Sequence, residues 1–403
     1  MHIIVLENEP SSFRGGQELS LLDVCRGLSQ RGHDISLIYL KEGDLLKQYQ
    51  EICSQIIKVN GYWIDRGSRR KRVTSIFKLL GDIWKIPKNK NTIVYSNYYI
   101  YCFFGYTLAL SKNIPLVCHF RLPPPSSKWT MDLTPYLNRK RVKDLLLPPG
   151  QWVFGLKGVK KFIALSNQTK CAWAELGFDE NKIDVVYNGI NPEVFKPPVN
   201  FFLTRQKWNI PENTTVITYV GRLDKQKGLE TLIKAFALLL KINTNIRLLI
   251  AGKPLAHSNP EEGEKYRKSL VQLSIDLSIE KHVDFIGHVT DTISLYQATD
   301  VTVLPSIWAE PFGRSIIESM ACGTPVVASR IGGIPEILTG EFESWLFEPE
   351  DEQDLSETLN LIMNWRSKSP ELGRRGREHV LSNFSLDRMI DGVEEVLVNC
   401  VKK

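Results

Sequence analysis

The loop Gly221–Gly228 (GRLDKQKG) holds two cations, Arg222 and Lys227, between an apolar run and an amphipathic one. Fixed at the C-terminal end of a strand, such a pair suits a diphosphate, because each cation balances charge and donates charge-assisted hydrogen bonds. If the diphosphate is a leaving group, the same cations stabilise the charge that develops on it. A solvated basic turn would carry the same residues, so this loop alone decides nothing. The second constellation is Ser306–Gly323 (SIWAEPFGRSIIESMACG), with Glu310 just before Pro311 and Glu318 about two helical turns further on. Pro311 suits the first turn of a helix, and the free N–H groups of Phe312, Gly313 and Arg314 would then form an anion site. One carboxylate at the mouth and one within the helix could grip sugar and ribose hydroxyls separately. An amphipathic helix with two surface glutamates is the plainer reading of Glu-x7-Glu by itself.

Two further positions draw notice. Gly15 and Gly16, in FRGGQE, stand between a first strand and a first helix, where glycine lets the backbone approach a phosphate closely. No G-x-G-x-x-G accompanies them, which argues against a nicotinamide dehydrogenase. His119 lies at the end of the apolar run Leu116–Phe120; a lone histidine is usually structural or at the surface, and this placement adds weight to a cleft-lining role. No histidine has metal-ligand spacing with a second His or Cys. Neither a G-x-S-x-G elbow nor a GK[ST] phosphate loop occurs.

These residues need elements to hold them, and the chain supplies short apolar runs alternating with amphipathic ones. In the first half, strands are expected at His2–Glu7, Ile35–Leu40, Thr92–Ser96, Leu116–Phe120, Phe162–Leu165 and Ile183–Tyr187, with a helix at Glu18–Gln30. The second half repeats the rhythm with strands at Thr215–Val220, Ile246–Ala251, Val283–Ile286, Val301–Leu304 and Pro325–Ala328, and a helix at Leu229–Lys241. Buried strands alternating with helices predict parallel sheets covered on both faces. The fold class is α/β, with two doubly wound, Rossmann-like domains facing each other across a cleft, where open α/β sheets bind ligands. The proline-rich stretch Asn191–Asn200 reads as the linker, dividing the chain into 1–195 and 196–384.

Composition bounds the rest. With 403 residues, 43% hydrophobic and 24% charged, the chain is an ordinary globular protein with material for two cores. No apolar run approaches the roughly 20 residues of a membrane span, and no signal peptide is read at the N-terminus. Seven scattered cysteines with no C-x-x-C pair fit free thiols in a reducing compartment, so the expected location is cytoplasmic. Charge is uneven: residues 1–195 hold 27 Lys and Arg against 17 Asp and Glu, a net +10, while the remainder holds 24 against 28, a net −4. The first half therefore suits an anionic partner.

Taken together, the motifs resemble those of the retaining GT-B glycosyltransferases, and specifically glycosyltransferase family 4. The resemblance runs from GGQE through ALSNQTK (Ala164–Lys170), VVYNGIN (Val185–Asn191) and GRLDKQKG to LPSIWAEPFGRSIIESMACGTPVVAS and GGIPEIL (Gly332–Leu338). It implies that Arg222 and Lys227 hold the donor diphosphate, Glu318 binds the ribose hydroxyls, and Glu310 contacts the donor sugar beside the backbone N–H groups of Phe312 and Gly313. It also implies that Gly15 and Gly16 approach the distal phosphate and that His119 touches the sugar and the acceptor side. The family works without a catalytic metal, in keeping with the missing Asp-x-Asp motif, and sends a last helix, here Ser385–Val401, back onto the first domain. No cofactor is expected beyond the substrate, a UDP- or GDP-sugar. Transfer with retention is implied, by same-face substitution in which the leaving phosphate helps deprotonate the acceptor hydroxyl. Two positions depart from the pattern: Ser319 and Arg314. Arg314 either adds charge near the phosphates or, the favoured reading, faces solvent.

The acceptor is expected on the basic first half, as a glycan or lipid-linked glycan at the inner membrane face. Its basic clusters, Arg66–Arg72 and Arg139–Lys143, lie near Trp63, Trp129 and Tyr136, and Leu145–Phe154 offers apolar anchoring. A solvated basic face with buried aromatics explains the same residues. Nucleic acid is not expected, since no nucleic-acid module accompanies the charge. An epimerase of the same architecture should lack E-P-F-G-x4-E, and a silent binding protein should have lost Glu310, Lys227 or His119.

Overall fold

The computed structural model describes residues 1–65, 67–124, 150–254 and 260–402. Arg66, Trp129, Tyr136, the cluster Arg139–Lys143 and the first five residues of Leu145–Phe154 lie outside the described residues. The chain forms two units, Met1–Tyr187 with Asp387–Lys403, and Asn188–Leu386.

The first unit is built on a parallel seven-stranded sheet. In chain order its strands are β1 (His2–Leu6), β2 (Asp34–Tyr39), β3 (Gln55–Lys58), β4 (Thr92–Ser96), β5 (Leu116–Phe120), β6 (Lys161–Ala164) and β7 (Ile183–Val185). They lie in the order β3-β2-β1-β4-β5-β6-β7. The order reverses beside β1, where His2 is in register with both Asp34 and Thr92. Strands β1, β4 and β5 are buried along their whole length, as a sheet covered by helices on both faces requires. Phe120, at the end of β5, stacks on Trp173 with ring centroids 4.0 Å apart. The helix Leu386–Val401 completes this unit: Arg31 pairs with Asp391 at 2.7 Å, His33 with Glu394 at 2.7 Å, and Lys160 Nζ donates to the Cys400 carbonyl.

The second unit carries a parallel six-stranded sheet: β8 (Thr215–Val220), β9 (Ile246–Ala251), β10 (Val283–Gly287), β11 (Val301–Leu304), β12 (Val326–Ser329) and β13 (Leu346–Phe347), in the order β10-β9-β8-β11-β12-β13. The helix Leu229–Leu240 buries Leu229, Leu232, Ile233, Phe236 and Leu239, the i, i+3, i+4, i+7 pattern of one face. Just before β11, Asp300 accepts from Arg205 at 3.0 Å, from Arg366 at 2.9 Å and from the Val216 N–H at 2.8 Å, forming a charged knot inside the unit. The stretch Asn191–Asn200 lies within this unit. Ile190 is bridged to Ser385 there, and Asn200 caps the helix Phe201–Lys207 by accepting from the Leu203 N–H at 3.1 Å.

Two strands go beyond the expected set, β3 and β13. The first is a half-exposed edge strand with charged or polar ends, and the second has two residues, too short for any periodicity.

Candidate functional site

In the second unit, the loop after β8 and the segment after β11 meet. Gly228 makes this possible: it sits at φ +64°, and a Cβ there would lie 1.9 Å from the Pro305 carbonyl oxygen. The Ile307 N–H donates to the Gln226 carbonyl at 2.9 Å, tying the two segments. Lys227 thereby reaches Glu310 and its Nζ donates to Oε1. Ser306 Oγ donates to the same oxygen at 2.6 Å, and the Lys227 ammonium lies 6.0 Å from the Trp308 ring centroid. Glu310 is only 6% exposed. Burial pushes its carboxyl up, but the Lys227 charge and the hydrogen bonds from Lys227 and Ser306 outweigh this and hold it below its ordinary value. Its backbone is fixed as well. Gly333 N–H donates to the Glu310 carbonyl at 2.7 Å, and Gly332, at φ +62°, packs so close that a Cβ would lie 2.3 Å from that oxygen. Arg222, half-buried at the end of β8, has no ion pair among the described residues.

The helix that follows starts later than expected. It spans Arg314–Ala321, with Gly313 at φ +107° as its cap, so Pro311 and Phe312 precede it. At its start the Ile316 N–H donates to the Gly313 carbonyl at 3.0 Å. The Phe312 side chain is buried, edge-on to Phe384. Arg314 does not face solvent either. Its Nε donates to Glu318 Oε1 at 2.7 Å, one helical turn on, and Glu318 Oε2 accepts from Tyr296 at 3.1 Å. Glu318 is thus oriented from two sides.

In the first unit, Gly15 at φ +132° and Gly16 lead from a single 3-10 turn into the helix Gly16–Gln30. Behind them runs a buried polar chain. Glu7 accepts from the Asn97 side chain at 2.7 Å, and Asn97 accepts from Arg121 Nε at 2.9 Å. Arg121 also donates to Ser20 at 2.9 Å, and Tyr95 is hydrogen-bonded to His119 Nδ1 at 2.7 Å. His119 is 1% exposed, so it sits in the interior of this unit rather than on a solvent-lined wall, and its Nε2 meets no hydrogen-bonding partner among the described residues. Burial, then the Arg121 charge, keep its pKa well down and the ring neutral. Arg14 pairs with Glu18 at 3.1 Å; burial and the charge of Glu7 raise Glu18 to about 7. Sequence reasoning passed over Glu7, Asn97, Arg121, Ser306 and Trp308. Ser306 and Trp308 stand inside the motif that singled out Glu310, and Arg121 stands two residues after His119.

Two family models divide the chain between them: "Glycosyltransferase Family 4" matches residues 14–194 and "Glycosyl transferases group 1" matches residues 200–379. The chain belongs to this glycosyltransferase family. Among its relatives, an uncharacterized glycosyltransferase of Methanocaldococcus jannaschii, MJ1607, is 34% identical over 233 residues, covering 56% of this chain and 49% of that one. The D-inositol 3-phosphate glycosyltransferase of Corynebacterium aurimucosum is 23% identical over 395 residues, covering 94% of this chain and 90% of that one. The chain thus spans about half of the first relative and most of the second. The fold matches the Anabaena protein Alr3699/HepE, whose crystal structure holds UDP and glucose, with a TM-score of 0.79, 22% identity and coverage of 99% and 100%. Both parallel sheets of this glycosyltransferase therefore belong to the GT-B type, two Rossmann-like domains.

Proposed function

We propose that the protein transfers a hexose, with retention of anomeric configuration, from a UDP- or GDP-sugar to a hydroxyl of a glycan or lipid-linked acceptor, at the cytoplasmic face of a membrane and in cell-surface polysaccharide or glycolipid synthesis. The observation that carries this reading is the buried Lys227–Glu310 pair, braced by Ser306, with Lys227 on the same loop as Arg222, which has no ion pair among the described residues. Arg222 and Lys227 supply fixed positive charge for the donor diphosphate and for the charge that grows on it as the glycosidic bond breaks, the role a metal fills elsewhere. No cofactor enters. Glu310, held ionised and immobile, accepts hydrogen bonds from donor-sugar hydroxyls, and Glu318, oriented by Arg314 and Tyr296, accepts them from the ribose. Gly15 and Gly16 bring backbone N–H groups to the distal phosphate. The leaving phosphate takes the acceptor proton on the face from which it departs, so no carboxylate forms a covalent intermediate. The +10 half supplies the acceptor side, in keeping with an anionic acceptor.

A panel of UDP-, GDP- and ADP-sugars tests this by calorimetry and by hydrolysis, without added metal. One nucleotide sugar should bind and should lose its affinity in Lys227→Ala. Glu310→Gln should lower turnover at least a hundredfold, the scale of losing one preorganised electrostatic contact. Mass spectrometry of the native protein with donor should reveal no glycosyl-enzyme; an adduct on Glu310 would overturn same-face transfer. If no nucleotide or nucleotide sugar binds, the donor reading fails.

A further inference from the structure

The helix Arg69–Lys85 in the first unit has a broad apolar face of which only one edge is buried. Leu79 and Ile83 are buried against the core, joined by Ile86 just beyond the helix. Adjoining them round the helix, Val73, Phe77, Leu80 and Trp84 are exposed, Phe77 to 71% and Trp84 to 85%. Their spacing, i, i+4, i+7, i+11, confines them to about 60° of arc at roughly 100° per residue, a continuous stripe along most of the helix. Surface apolar residues scattered singly need no explanation, but a stripe with an exposed Trp and Phe does. The surrounding charge has one sign. From Arg69 to Lys90 the chain carries Arg69, Arg70, Lys71, Arg72, Lys78, Lys85, Lys88 and Lys90, all exposed. The single acid of that stretch, Asp82, is buried and accepts from Asn60 at 2.9 Å. On a helical projection Arg69 flanks one side of the stripe and Lys78 and Lys85 the other.

We infer that this helix seats the protein on an anionic lipid bilayer, lying in the interface with Phe77, Leu80 and Trp84 in the acyl boundary and its basic residues among the headgroups. The chemistry favours this occupant over a second copy of the chain, since two such faces would bring eight cations against eight. A bilayer offers negative charge and an apolar layer a few ångströms apart, the pairing that an amphipathic helix with Trp, Phe and Leu opposite Lys and Arg fits. Each basic residue that reaches an anionic leaflet raises partitioning about five-fold. Among the described residues no helix is long and apolar enough to cross a membrane, so the contact is a surface one. The inference gives the membrane part of the proposed function a definite surface; it needs neither donor nor acceptor, so it stands or falls apart from the transfer reaction.

The test is flotation of the whole protein with vesicles of phosphatidylcholine alone and of phosphatidylcholine with an equal part of phosphatidylglycerol. The protein should float with the anionic vesicles and stay behind with the neutral ones. Binding should fall at least tenfold in Phe77→Ser/Trp84→Ser, whose side chains are already exposed, and again in Lys71→Glu/Lys78→Glu. It should also weaken near 1 M salt, where the Debye length is about 3 Å. Circular dichroism and donor hydrolysis without vesicles should be unchanged in both variants. Equal flotation of native protein and Phe77→Ser/Trp84→Ser would overturn the inference. So would a dimer in light scattering that both variants abolish while native protein ignores anionic vesicles, since the stripe would then join two copies.

Discussion

Replacing Lys227 by methionine keeps length and bulk but removes one partner of a buried ion pair, leaving Glu310 behind. In the native protein burial pushes the Glu310 carboxyl up, and Lys227, with the hydrogen bonds of its neighbours, pulls it below its ordinary 4.5. A depressed carboxylate contributes stability that is present above pH 4.5 and lost as pH falls through its folded value. Without Lys227 the largest remaining influence is desolvation, and the sign reverses. The folded state then holds its proton more tightly than the unfolded chain, so stability falls as pH rises above 4.5. A buried charge stripped of its partner costs about 3–5 kcal/mol. Protonation caps that cost, because neutralising the carboxyl at pH 7 spans about 2.5 units at roughly 1.4 kcal/mol each, about 3.5 kcal/mol. At pH 5 the same cap is only about 0.7 kcal/mol. Urea unfolding of native and Lys227→Met protein at the two pH values reads the difference directly. The gap between the two proteins should widen by about 2–3 kcal/mol from pH 5 to pH 7, and adding Glu310→Gln should remove the pH dependence. A gap equal at both pH values would refute the reasoning, since Glu310 would then not depend on Lys227 for its charge.

The charged knot in the second unit makes a sharper stability prediction. Asp300→Ala leaves Arg205 buried without its carboxylate and should cost about 3–5 kcal/mol in urea unfolding, while Asp300→Asn, which keeps an acceptor oxygen, should cost less. In the first unit Glu18 is raised to about 7, by burial and then by Glu7. A carboxyl raised in the folded state favours folding below its unfolded pKa and loses that contribution as pH climbs towards 7, so Glu18→Gln should flatten the fall in stability between about pH 4.5 and pH 7. Identical pH–stability curves for Glu18→Gln and native protein would contradict this.

How far the sequence could be read depended on how local the determining physics was. Strands β1, β4, β5, β8, β9 and β11 were legible because each is an apolar run bounded by polar or glycine residues. The helix Leu229–Leu240 was legible because its buried positions repeat every three to four residues. Edge strands β3 and β13 were not: their pairing is decided by neighbours far along the chain. The division of the chain at Tyr187 and Asn188 was equally hidden, because Asn191–Asn200 looks like a linker until the pairing of Ile190 with Ser385 places it inside the second unit.

Residue types and order were enough to identify the family, to anticipate two parallel-sheet domains, and to single out Arg222, Lys227, Glu310 and Glu318 as candidate site charges. They could not say which charges touch. The partner of Lys227 is Glu310, 83 residues away, and they meet only because Gly228 lets its loop pack against Pro305. Arg314 reads as a surface cation until the helix start at Gly313 turns it onto Glu318. His119 reads as a cleft residue until the sheet buries it beside Tyr95. Patterning along the chain records burial and secondary structure, which are local averages; ion pairing and the burial of a single polar atom are set by a few long-range contacts, and these exist only once the sheets have formed.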